Sequence, residues 1–186
     1  MIPAGYLLKH TNPLPGWFNI PGILEVCSVA SCANENVIDI ERIWEHNAFG
    51  VANSAEMLWR LAREGAAETN GSKLFYYETY ELETDSDEFL RHPVRWRPLT
   101  PVPSGKAEAT LAAVPEHKRL LGYDVVVFED YLEHSPLSCN GMAAEIQVNE
   151  YCLISTFDDA KEVIEAGRFR SCEPGKYKIY SVYLVE

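Results

Sequence analysis

Long apolar runs are missing from this chain of 186 residues. None approaches the roughly 20 residues that a membrane-crossing helix needs, so no membrane association is expected. The opening, MIPAGYLLKHTNPLPGW, has neither a continuous apolar stretch nor a cationic start, and Pro3, Pro13 and Pro15 interrupt it. It does not read as a secretory signal. Metal-binding spacings are missing too. There is no Cys-x-x-Cys, no His-x-x-x-His and no His-Glu-x-x-His, and His10, His46, His92, His117 and His134 lie far apart. No metal is expected. The absence of Gly-x-Gly-x-x-Gly, of a Walker-type loop and of a Gly-x-Ser-x-Gly elbow removes the commonest nucleotide and serine-hydrolase signals, and no cofactor is expected.

Cysteine is sparse: Cys27, Cys32, Cys139, Cys152 and Cys172. The number is odd, the spacing is irregular, and the chain is too large to need staples. These residues read as reduced thiols of a cytoplasmic protein, with Cys27 and Cys152 packing as small hydrophobes in strands.

Positive charge is also scarce, with 16 Lys and Arg against 28 Asp and Glu, a net charge of −12. Such a surface repels phosphate backbones, which argues against nucleic acid and suits a basic protein partner. The charge falls in three blocks. Residues 1–85 carry 5 basic and 12 acidic side chains, residues 86–122 carry 6 and 4, and residues 123–186 carry 5 and 12. The expected organisation is one compact domain, with an N-terminal α+β half (1–85), a proline-rich, mildly basic connector (86–122) and a C-terminal α+β half (123–186).

Periodicity fills in the halves. In the first, GILEVCSVAS (22–31) reads as a strand and NVIDIERIWEHN as an amphipathic helix. Asn53 with Glu56 reads as a capping box for SAEMLWRLAREG, which Gly65 stops. SKLFYYETYELET (72–84) alternates strictly and reads as one long strand. In the connector, Pro93, Pro98, Pro101 and Pro103 exclude a regular helix. PEHKRLLG could open a helical turn at Pro115. Arg91, Arg95 and Arg97 with Trp96 read as a basic strap lying across acidic neighbours. In the second half, YDVVVFED and EYCLIST read as strands, FDDAKEVIEAG as a helix capped by Thr156, and KYKIYSVYLVE as a closing strand. Each half thus reads as strands around a helix ending on a tyrosine-rich strand, although no residue-level repeat joins them. The class is α+β, a largely antiparallel sheet with helices packed on one side.

One stretch has the residues of a site. In SPLSCNG (135–141), Cys139 follows a strand and precedes a possible helix start, with His134 nearby as a base. A nucleophilic thiol needs a lowered pKa, and Glu129, Asp130 and Glu133 act in the opposite direction. The stretch reads better as a turn, in which Asn140-Gly141 supplies positive φ. Ser135, Ser138, Asn140 and Asn149 are candidates for lining a binding groove. Glu81 and Glu83, on the solvent-leaning face of their strand, are candidates for meeting a basic partner. Two functions follow. One is a non-catalytic binding protein, which by size and charge alone is analogous to toxin-neutralising immunity proteins. The other is an enzyme with Cys139 as nucleophile.

Overall fold

A computed structural model describes residues 1–38, 46–85, 93–100, 111–129 and 132–186. The helix expected over 36–47 and Arg91 of the strap fall wholly or partly outside them. The elements are β1 (Ile2–His10), β2 (Glu35–Asn36), α1 (Ala55–Glu64), β3 (Lys73–Thr79), β4 (Leu82–Thr84), β5 (Trp96–Pro98), β6 (Lys118–Glu129), β7 (Leu132–His134), α2 (Pro136–Cys139), α3 (Phe157–Glu165) and β8 (Lys176–Val185). Six strands form one antiparallel sheet in the order β2-β1-β3-β8-β6-β7, and β4 pairs with β5 in a small second sheet. The fold is α+β, built of two related strand–helix–strand halves.

The relation between the halves is visible in the register. Gly5 pairs with Tyr77, Tyr77 with Val182, and Val182 with Gly122, giving one row across the four central strands. Both glycines sit at a register shift, with φ of +147° and +152°. The next residue in each case makes an isolated bridge, Tyr6 to Ala52 and Tyr123 to Ile154. Two residues beyond each bridge lies a helix cap. Ser54 Oγ accepts from Met57 N, and Thr156 Oγ1 accepts from Asp159 N. The first helix is therefore capped one residue later than Asn53. An Ala side chain at Gly5 or Gly122 would place Cβ 2.3 Å from the Ala52 carbonyl oxygen or 2.8 Å from that of Ile154, so both bulges depend on glycine.

A side-chain amide anchors the loop before each helix. Asn47 Oδ1 accepts from Phe49 N and Val51 N, and its Nδ2 donates to the Ala4 carbonyl at 2.7 Å. Asn149 Oδ1 accepts from Tyr151 N and Leu153 N, and its Nδ2 donates to the Leu121 carbonyl at 2.7 Å. Asn149 is thus half-buried and committed to holding its own loop.

Several expected elements differ. Residues 22–31 are not a strand, because their backbone groups find partners outside any ladder. Leu24 N and Glu25 N donate to the Glu150 carbonyl, and Cys27 N donates to that of Tyr151. EYCLIST contributes only the single bridge at Ile154, because positive φ at Cys152 (61°) breaks its extension. The expected helical turn at Pro115 gives way to β6, which begins at Lys118. The expected strand 72–84 divides at Tyr80-Glu81, where the chain leaves the main sheet for β4.

The core forms two clusters. One gathers Leu7, Phe75, Tyr77 and Val182 with Leu58 of α1. The other gathers Val125, Val127, Leu137 and Ile179 with Ala160 and Ile164 of α3. Tyr76, Tyr77, Tyr177 and Tyr180 are buried, so the tyrosines expected in the sheet serve packing.

Candidate functional site

The loop over residues 26–34 is held by two buried ionisable side chains. Lys9, on β1, donates through Nζ to the carbonyls of Ser28, Val29 and Ala30 at 2.8 Å each, and to Asn34 Oδ1 at 3.0 Å. Asp124, on β6, accepts from Ser28 Oγ at 2.7 Å, from Val29 N at 2.9 Å and from Ser135 Oγ at 2.6 Å. Both side chains are fully buried. Burial raises the Asp124 carboxyl above its usual range, against the pull of Ser135, Ser28, Val29 N and Lys9. The apolar run 22–31 is therefore a loop whose carbonyls meet an ammonium and whose donors meet a carboxylate.

Asp124 joins two segments distant in sequence. Ser28 lies on one and Ser135 on the other. Four residues beyond each serine stands a cysteine, and Cys32 and Cys139 form a disulfide with Cα atoms 5.5 Å apart. This corrects the expectation of five reduced thiols. The cause is tertiary: the two residues are separated by 107 positions and come together only when both segments dock on Asp124. Cys27, Cys152 and Cys172 are free thiols. Burial, followed by Glu25, pushes Cys27 up to about 12, and burial raises Cys152 further. His134 stands beside the disulfide, with Nδ1 3.8 Å from Cys32 Sγ. The two sulfurs and a nitrogen of His134 lie within 4.8 Å of one another, and Cys32 is exposed.

SPLSCNG is a single helical turn, Pro136–Cys139, closed by Gly141 at φ 69°, whereas Asn140 has φ −97°. Ser135 and Ser138 are buried, so neither lines an open groove. Asn140 is exposed and donates to Glu173 at 3.2 Å. Of the two strand glutamates, Glu81 is exposed, but Glu83 is buried. The break at Tyr80-Glu81 turns Glu83 inward, where Arg97, Lys176 and Lys178 approach it at 3.6, 3.5 and 3.7 Å. Arg97 also reaches Asp85 at 3.2 Å, and Trp96 Nε1 donates to Glu165 at 2.8 Å, so the strap docks on acidic neighbours as its sequence suggests.

Sequence reasoning missed a second feature. Between residues 145 and 165 the acids Glu145, Glu150, Asp158, Asp159, Glu162 and Glu165 are all exposed, and Lys161 is the only cation. A groove of about 310 Å³ borders two of them, Asp159 and Glu162, with Ile146, Ile154 and Val163 in its lining and Arg168 also in the wall. The i, i+3, i+4 spacing of acids in FDDAKEVIE was the available signal, since those positions share the outer face of α3. Among the described residues, no helix is long and apolar enough to cross a membrane. Comparison with protein-family models, curated proteins and solved structures finds no match to this chain.

Proposed function

We propose that this chain is a non-catalytic binding protein that receives a basic segment of a protein partner on the acidic face along α3. The observation that carries the reading is the concentration of charge. Six exposed carboxylates and one cation occupy residues 145–165, and two of those carboxylates, Asp159 and Glu162, line a groove with Ile146, Ile154, Val163 and Arg168. Carboxylates around an apolar floor favour a partner with lysine or arginine flanking a hydrophobic anchor. The charge steers the encounter and the floor supplies contact area. Toxin-neutralising immunity proteins are one analogy, in size and charge only. The reading includes a cytoplasmic setting and partners other than nucleic acid, because a face of this sign repels phosphate.

The enzyme reading has less support. The His134 nitrogen that would serve Cys139 as a base stands 3.8 Å from Cys32 Sγ instead.

The test is affinity capture from the native cell, quantified by mass spectrometry, with wild type compared against Asp159→Lys/Glu162→Lys. One basic protein should be retained by wild type and lost from the variant. Its association rate should fall as salt rises, since screening shortens the field to about 8 Å at physiological ionic strength. A partner set that the double reversal leaves unchanged would overturn the reading.

A further inference from the structure

We propose that Cys32, Cys139 and His134 form a redox-gated site for a thiophilic divalent metal such as Zn²⁺, closed when the disulfide is formed and open when it is reduced. The inference starts from what holds the two sulfurs together. The disulfide is not the only link between their segments, because the Asp124 carboxylate accepts one serine hydroxyl from each. Cys32 is fixed on both sides, as Lys9 binds the Ala30 carbonyl before it and the Asn34 side chain after it. Cys139 ends a helical turn whose N–H donates to the Ser135 carbonyl at 2.7 Å. Reduction therefore removes a covalent bond while leaving the frame that carries the thiols.

The same frame places a third donor. Zinc–sulfur bonds of about 2.3 Å and zinc–nitrogen bonds of about 2.0 Å set the sulfur-to-nitrogen edge of a tetrahedron at about 3.5 Å. Cys32 Sγ and His134 Nδ1 stand 3.8 Å apart. Exposure of Cys32 leaves the fourth position open to water or to a ligand from another molecule. The donor set, two thiolates and an imidazole, suits zinc over hard cations. Because the ligands are already gathered, binding does not bear the entropy of closing a 107-residue loop.

The chemistry balances with a thiol reductant. Two reductant thiols become one disulfide, and their two electrons and two protons convert the Cys32–Cys139 bond into two thiols. Zinc then binds both sulfurs as thiolates and releases two protons. In reducing surroundings a disulfide is transient, so the metal-ready form is the resting one there, and oxidation expels the metal.

The experiment titrates Co²⁺ into protein reduced with a phosphine and freed of it without oxygen. One equivalent should bind, with the thiolate-to-cobalt charge-transfer bands of a tetrahedral site, and Zn²⁺ should displace it. Unreduced protein should show no such bands. Cys32→Ser should abolish them. His134→Ala, which leaves the disulfide and the Asp124 clamp untouched, should weaken binding at least about tenfold. Cys172→Ser should change nothing. Absence of the bands from reduced wild type, or their survival in Cys32→Ser, would overturn the proposal. So would reduction that unfolds the chain by circular dichroism, since the frame is proposed to outlast the bond.

Discussion

Single residues give this protein an alkaline weakness. Burial is the first cause of the raised pKa of Cys27, Cys152, Tyr76, Tyr177 and Tyr183, with Cys27 and Tyr183 each reaching about 12. In the unfolded chain these groups lose their protons near 9.0 and 10.0. Between those values and about 12 the folded state keeps protons that the unfolded state releases. Stability is therefore complete below about pH 9 and falls as pH rises. Each buried thiol contributes a slope of about 1.4 kcal/mol per pH unit at most. Urea unfolding at pH 10.5 should have a lower midpoint than at pH 8, and equal midpoints would mean that these groups ionise freely in the fold. At this scale the sequence was only partly legible. The apolar runs around Cys27 and Cys152 predict that both are buried in strands; both are buried, but in loops. The sequence could not show that Cys32 meets Cys139, nor that Lys9 inside a strand is buried, because both facts depend on a loop that folds back from the far side of Asp124.

Among the elements, the paired loops before α1 and α3 offer the clearest comparison. Asn47 and Asn149 each satisfy two backbone donors and one carbonyl. If both are structural, Asn47→Ala and Asn149→Ala should each cost about 2–4 kcal/mol in urea unfolding, the sum of orphaned donors and an orphaned acceptor. Asn47 should cost more, being the more buried and holding Asn53 as well at 2.9 Å. A neutral Asn149→Ala would return that residue to the list of binding candidates. Helix capping and strand alternation were readable here: α3 with its Thr156 cap, and the central strand β8, lie where those signals place them. The runs at 22–31 and 150–156 read as strands in the sequence but fold as loops, because apolar, β-branched runs also suit buried loops once side chains such as Lys9 and Asn149 take over the backbone bonds.

At the scale of the whole molecule, each half contributes a strand, β3 from the first and β8 from the second, to the seam at the middle of one sheet. The repeat was hinted at by the two tyrosine-rich strands. It is invisible residue by residue because it resides in φ angles and hydrogen-bond positions, as with Gly50 at 75° and Cys152 at 61° in equivalent loops. Deleting residues 176–186 removes the neighbour of β3 and of β6 at once. The shortened chain should lose cooperative unfolding and scatter light at concentrations where the full chain stays clear. A clear, cooperatively folding product would show that the first half is self-sufficient. The same seam has a consequence for synthesis. β3 is complete at Thr79, but its partner begins only at Lys176. While the intervening residues leave the ribosome, β3 exposes a row of unanswered N–H and C=O groups that another nascent copy can fill. The interval between those two residues is thus the window in which this chain is most exposed to pairing with itself across molecules, and slow translation through it lengthens the hazard.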